Sequence, residues 1–111
     1  MLIYFRTSKL QKLCSKEREM LKQLGRGMAL KLQQRLMELN AADSLADVSH
    51  LPPPRCHELT GNRSGHFSVD LEQPYRLIFI PADDPIPLKD DGGIDLSQVR
   101  EVEIIGIEDT H

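Results

Sequence analysis

The stretch that decides the fold is residues 66–80, which read HFSVDLEQPYRLIFI. Apolar and polar residues alternate strictly through residues 66–71, and a second β-rich run occupies residues 75–80 after a turn at residues 72–74. Alternation with a period of two is typical of a half-buried β-strand. The pattern therefore predicts two neighbouring strands that present one apolar face to a core.

Further strand-like segments lie on both sides of this stretch. Residues 56–60 are strand-like and are followed by the turn-forming residues 61–65, which predicts a hairpin with the strand that starts at residue 66. Residues 2–5 and 99–107 are also apolar or aromatic and strand-like. We expect these segments to form one small antiparallel sheet, with an exposed acidic loop over residues 81–97.

Two helical runs precede most of the sheet. Thr7 and Ser8 supply N-cap side chains for a first helix, which we expect to end at Gly25. A second run repeats apolar residues at intervals of three or four until about Asn40. We predict a helical hairpin that buries one apolar stripe and keeps its polar residues outside. The stripe is Met28, Leu32, Leu36 and Leu39, and the outside residues are Lys31, Gln33, Gln34 and Arg35.

Length and composition favour a single α+β domain over residues 1–111. The chain is 40% hydrophobic, which is enough apolar material for one core. Its apolar runs are far shorter than the roughly 20 residues of a membrane span, and the N-terminus lacks a secretory signal. We therefore expect a cytoplasmic protein with no membrane partner. The cysteines, Cys14 and Cys56, suggest neither a disulfide nor a zinc site, and Cys14 is expected in the core.

The net charge of -3 conceals a segregation of charge along the chain. Residues 1–40 carry nine Lys or Arg against three Glu, a net +6, whereas residues 41–111 carry five against fourteen acids, a net -9. A basic helical half attracts polyanions such as RNA, but the acidic half of the same chain can also neutralise it. The sequence leaves both alternatives open.

Four short segments, three in the C-terminal half and one at the chain end, form a recognisable series. They are PRCHELTGNRSG at residues 54–65, FSV at residues 67–69, YRLIF at residues 75–79 and the terminal EDTH at residues 108–111. Together they resemble the RelE/ParE superfamily of bacterial toxins, and within it the HigB-like "killer" branch. The resemblance implies a helical hairpin packed on an antiparallel sheet.

The resemblance also implies a function. The protein would be the toxin of a type II toxin-antitoxin system, an endonuclease that cuts messenger RNA on the ribosome and is neutralised by a HigA-like antitoxin. Such cleavage needs no metal and no cofactor. A base takes the proton of a ribose 2′-OH, the oxygen attacks the adjacent phosphorus, cations stabilise the pentavalent state and an acid protonates the leaving 5′ oxygen.

Two residues match the family's central site. His57 matches the histidine that follows the prolines, and imidazole suits acid/base work at neutral pH. Its alternative is a structural histidine at the start of a strand. Arg76 matches the strand arginine, whose guanidinium can grip a phosphate oxygen. Its alternative is a structural salt bridge to Glu58 or Asp70.

Three further residues belong to the implied site. His111 matches the terminal histidine and would be a second acid/base group, with Asp109 orienting it. The alternative for His111 is a frayed chain end. Arg63, in the hairpin turn, would contact the RNA backbone, and its alternative is simple solvation.

Two positions differ from the family pattern. Thr60 lies where the family has a lysine, and Thr110 lies where it has a tyrosine. These differences keep two alternatives open: a toxin-fold protein that has lost catalysis and binds an antitoxin or another protein, and a toxin that acts by binding, as ParE-like relatives do on DNA gyrase. The first of these alternatives predicts complex formation without RNA cleavage.

Overall fold

The computed structural model describes residues 1–109, in which two N-terminal helices pack on a five-stranded sheet. The helices are α1 (Ser8–Ser15) and α2 (Glu17–Ala41). The strands are β1 (Leu2–Phe5), β2 (His57–Glu58), β3 (Phe67–Asp70), β4 (Tyr75–Pro81) and β5 (Glu101–Asp109). The predicted α+β class and the predicted strands are confirmed. Thr110 and His111 lie outside the described residues.

The sheet is mixed, with the strand order β1-β5-β4-β3-β2. Strands β2 to β5 pair antiparallel, as expected, but β1 runs parallel to β5. The prediction of an entirely antiparallel sheet was therefore wrong at this edge. The apolar pattern of a strand is the same whichever way its neighbour runs, so the pattern of residues 2–5 carries no signal for direction.

The first predicted helix is interrupted at Lys16, which has an extended backbone. Its N–H donates to the Lys12 carbonyl and its own carbonyl accepts from Met20, so it closes α1 and opens α2. Cys14 and Met20 are both buried, although six positions on a continuous helix would separate them by roughly 120° around its axis. The interruption lets both side chains face the core. Gly25 has a left-handed φ of 78° and interrupts α2 where a helix end was predicted.

The core fills the space between the helices and one face of the sheet. Apolar residues of α2, including Leu32 and Leu39, share a cluster with every second residue of the central strands. The rings of Phe67 and Phe79 are stacked across β3 and β4, with centroids 5.9 Å apart. The sheet members of the cluster are Phe67, Val69, Leu77, Phe79, Val102 and Ile104. Both cysteines are buried free thiols, with Cys14 in this core, as expected.

Strand β3 is buried on both faces, which corrects the prediction of a half-buried strand. Phe67 and Val69 face the core, but Ser68 and Asp70 on the other face are also buried. The reason is a layer of long polar side chains that lies over Ser68 and Asp70. The alternation of apolar and polar residues predicted the core face of β3 correctly. It carried no signal that other side chains would bury the polar face as well.

Arg35 of α2 is buried with 2% of its surface exposed, whereas the helical pattern predicts it outside. Its Nε donates to the main-chain carbonyl of Asp70 at 2.6 Å, and its Nη1 donates to Glu38 at 2.8 Å. A buried charge is tolerated when it is paired and hydrogen-bonded, and both conditions hold here. Arg35 thus anchors α2 to the end of β3.

The connection between β4 and β5 contains the acidic loop, most of whose residues are exposed, as predicted. It is ordered by local contacts, including an antiparallel bridge between Leu88 and Ile94 and a bond from the Arg100 N–H to the Asp83 carboxylate. Neither helix in the described part of the chain has the length and hydropathy needed to span a membrane.

Replacing Arg35 with methionine keeps most of the side-chain volume but leaves the Asp70 carbonyl without its donor. We expect the free energy of unfolding to fall by about 1–3 kcal/mol, the cost of one unsatisfied buried polar group. Urea denaturation measures the change. The matched control is Gln34→Met at the adjacent exposed position, which should change stability by about 0.5 kcal/mol or less. Equal stabilities of the two variants would contradict the anchoring role of Arg35.

Candidate functional site

The face of the sheet that points away from the helices carries a row of polar side chains. Residues that pair across strands point to the same face. His57 of β2 pairs with Ser68 of β3, and Asp70 of β3 pairs with Arg76 of β4, which in turn pairs with Glu108 of β5. The register therefore collects one imidazole, one guanidinium and two carboxylates on a single surface.

His57 and Arg76 are in direct contact on this face. Nη1 of Arg76 lies 3.1 Å from Nε2 of His57, and the hydroxyl oxygen of Ser68 lies 3.4 Å from the same nitrogen. Because β3 lies between β2 and β4, the two side chains meet above β3. Two of the residues predicted for the site are thus brought together.

The contact determines which nitrogen of His57 carries the proton. A guanidinium only donates hydrogen bonds, so Nε2 must be the acceptor and hold a lone pair. Nδ1 lies 3.3 Å from the main-chain carbonyl of Glu58, to which its N–H can donate. The tautomer that fits both contacts has its proton on Nδ1 and directs its basic Nε2 at Arg76.

Asp70 holds Arg76 in this position from the other side. Nε of Arg76 lies 3.5 Å from Oδ1 of Asp70, and both side chains are about one-eighth exposed. This separation is that of an ion pair, and Nε of Arg76 makes no hydrogen bond within residues 1–109. Arg76 thus contacts both Asp70, its predicted structural partner, and His57, its predicted partner in the site. Glu58, the other predicted structural partner of Arg76, accepts instead from Ser64 and Gly65.

Arg55, for which no role was predicted, also belongs to the cluster. Its Nε and Nη2 donate to the two carboxylate oxygens of Asp70 at 2.8 and 3.2 Å. This contact raises the pKa of Arg55, first through the hydrogen bond and then through the charge of Asp70. The order His57, Arg76, Asp70, Arg55 forms one connected chain of contacts. Arg55 directly follows three prolines and lies in the segment at residues 54–65, but nothing in that segment predicted a role for it.

Arg63 forms a second, separate ion pair on the same side of the site. Its Nη1 and Nη2 donate to the two carboxylate oxygens of Glu108 at 3.0 and 3.1 Å. The hydrogen bond to Glu108 raises the pKa of Arg63. The guanidinium of Arg63, which was predicted to contact RNA, therefore binds a carboxylate in this structure. A carboxylate offers an arginine the same negative charge and paired oxygens as a phosphate.

The remaining predicted residues are not brought to His57. Asp109 pairs with Tyr75 and follows Glu108 in the strand, so its side chain points to the opposite face of the sheet. His111 lies outside the described residues, and its convergence with His57 and Arg76 stays a prediction. Thr60, in the place of the family lysine, is exposed after β2.

Cys56 takes no part in the chemistry of this face, although it is adjacent to His57. Successive strand residues point to opposite faces, and Cys56 is buried in the core. Burial raises the pKa of its thiol to about 12, which keeps it protonated at neutral pH. Among residues 1–109, no three His, Cys, Asp or Glu side chains are grouped in a way that would hold a metal ion.

A cavity of about 320 Å³ opens next to β2. Its walls include Val48, Phe67 and Ile94, and polar groups of His50 and Lys89 border it. A volume near 300 Å³ is at the small end of ligand pockets. The cavity thus offers mixed polar and apolar space, and His57 and Glu58 of β2 are part of its lining.

The two oppositely charged halves of the chain make little direct contact through ion pairs. Among the described residues, the Arg6–Glu103 pair at 3.1 Å is the ion pair that joins them. The other pairs, such as Lys12–Glu19 and Arg55–Asp70, lie within one half. The acidic half therefore does not neutralise the helical surface by direct pairing.

The sequence matches no protein-family model, and a search of curated proteins finds no significant match.

The tautomer of His57 is a direct test of the site geometry. In mildly alkaline solution, the nitrogen NMR signals of His57 should show a protonated Nδ1 and an unprotonated Nε2. In Arg76→Ala the guanidinium donor is gone, so we expect the proton to redistribute toward Nε2. His50, which is exposed, serves as the internal control and should not change. A protonated Nε2 in the unaltered protein would exclude the Arg76 contact.

Proposed function

We propose that the chain is a toxin of the RelE/ParE superfamily, in its HigB-like branch, and that it cuts messenger RNA on the ribosome without a metal ion. The observation that carries the proposal is the contact between Nη1 of Arg76 and Nε2 of His57 on the polar face of the sheet. It combines a base and a fixed cation, the two groups that attack by a ribose 2′-OH requires.

In the proposed reaction His57 is the general base. The phosphate of the substrate offers Arg76 a charged acceptor, which forms a stronger hydrogen bond than a neutral imidazole. Nη1 of Arg76 then moves from His57 to a phosphate oxygen, and Nε2 is released to accept the proton of the 2′-OH. The 2′ oxygen attacks phosphorus, the bond to the 5′ oxygen breaks, and the products are a 2′,3′-cyclic phosphate and a 5′-OH.

Arg76 and the terminal segment have the remaining roles. The guanidinium of Arg76 stabilises the negative charge that develops on the phosphate oxygens. Asp70 limits its movement through their ion pair. His111, which the resemblance implies as a second acid/base group, would protonate the leaving 5′ oxygen. The basic helical half would be attracted to ribosomal RNA.

A second candidate function is protein binding without catalysis. It is favoured by the state of the arginines on the polar face, because Arg55, Arg63 and Arg76 each have a carboxylate partner already. Arginines in such pairs also occur as purely structural groups. The exposed apolar residues Leu30 and Met37 of α2 would then contact an antitoxin-like partner.

Growth after inducible expression in a bacterial host, with primer extension on a translated message, separates the two functions. The unaltered chain should arrest growth and produce new 5′ ends in the message. We expect His57→Ala and Arg76→Ala to reduce cleavage by about 10²-fold or more, the usual contribution of a general base or a charge stabiliser. Immunoblots must show that all variants accumulate to similar levels.

His50→Ala is the matched control, since His50 is exposed and outside the contact chain of His57. It should keep full activity. An intact message and normal growth with the unaltered chain would rule out the nuclease and favour protein binding. Equal cleavage by the unaltered chain and His57→Ala would show that the base is another residue.

A further inference from the structure

Arg55 has a backbone conformation that is unfavourable for its residue type. Its φ is +48°, in the left-handed region that non-glycine residues rarely adopt. Its neighbours hold it there: its N–H donates to the Leu51 carbonyl at 3.0 Å, and the Pro54 carbonyl accepts from Asp70 at 2.8 Å. Such residues persist where the surrounding structure over-determines them, and they cluster at binding and catalytic sites.

The conformation places the Arg55 side chain against Asp70. The two carboxylate oxygens of Asp70 accept from Nε and Nη2, so Nη1 is not part of this fork. The Arg55 side chain is 37% exposed, compared with 13% for Arg76. Arg55 is therefore the solvent-facing arginine of a cluster in which Arg76 is the inner one.

Oδ1 of Asp70 is common to both arginines. Nη2 of Arg55 lies 3.2 Å from it and Nε of Arg76 lies 3.5 Å from it. Two guanidinium groups share one carboxylate, so the cluster has a net positive charge after internal pairing. Because Asp70 is only 12% exposed, the common carboxylate also keeps the separation of the two cations fixed.

We propose that Arg55 is a second phosphate-binding residue, and that the site takes two successive phosphates of one nucleic-acid strand. Arg76 contacts the phosphate next to His57, and Arg55 contacts a neighbouring phosphate along the strand. Asp70 is the positioning residue that holds the two guanidinium groups apart. This inference rests on the proposed function, since it assigns the first phosphate to Arg76.

The test measures binding of small probes by NMR titration. The first probe is a 2′-O-methyl dinucleotide with its one internal phosphate; the second and third carry an added 3′ or 5′ terminal phosphate. The unaltered chain should bind one of the two longer probes about tenfold more tightly than the first, as expected for one added charge-assisted contact. In Arg55→Gln that gain should fall to about twofold or less.

Arg6→Gln is the matched control. Arg6 is also an exposed arginine in an ion pair, with Glu103, but it lies at the end of β1 on the far side of the sheet from β2. It should keep the tenfold gain. Arg55→Lys guards against a folding defect, because it retains the charge without the fork, and we expect it to keep part of the gain.

Either of two results would overturn the inference: equal affinity of the unaltered chain for all three probes, or an equal gain in the unaltered chain and Arg55→Gln. The 2′-O-methyl groups block cleavage, so the result is independent of the nuclease test. Cleaved messages without the Arg55 effect would reject the Arg55 assignment alone. The Arg55 effect without cleaved messages would reject the nuclease function alone.

Discussion

Asp70 is the residue on which the polar half of the structure depends. Its main-chain carbonyl accepts from Arg35 of α2, its N–H donates to Pro54, and its carboxylate holds Arg55 and Arg76. A buried carboxylate is costly unless partners replace the lost water. Here the partners of the carboxylate come from two other segments of the chain, and the donor to the main-chain carbonyl comes from a third. Satisfying Asp70 internally therefore also fixes the positions of those segments.

The network makes the register of β3 unusually specific. A shift by one residue would move Phe67 and Val69 out of the core and place Ser68 and Asp70 into it. In most strands the apolar face alone opposes such a shift. In β3 the polar face opposes it as well, because Asp70 would lose the arginines that satisfy it. The same constraint that stabilises the fold therefore sets the distance between His57 and Arg76.

On the polar face, carboxylates are already paired with the arginines that the proposed function would direct at phosphates. Asp70 accepts hydrogen bonds from Arg55, and Glu108 accepts them from Arg63. A phosphate in the place of either carboxylate would meet the same guanidinium donors. A ligand that binds to these arginines must compete with the carboxylates of Asp70 and Glu108. Glu108 is easier to displace, because its side chain and that of its partner Arg63 are each more than a third exposed, whereas Asp70 is nearly buried. If the site binds as proposed, this competition favours ligands with several closely spaced negative charges over single anions.

The sequence by itself determined the element types, the core face of the central strands and the two residues, His57 and Arg76, that meet in the structure. The strands follow from an apolar repeat with a period of two, and the helices from one with a period of 3.6. His57 and Arg76 follow from a resemblance in short motifs. Only the tertiary structure decided the parallel β1, the buried Arg35 and the membership of Arg55 in the site. The physical reason is that long polar side chains reach across neighbouring strands, so their partners depend on strand order and register, which a linear pattern does not contain.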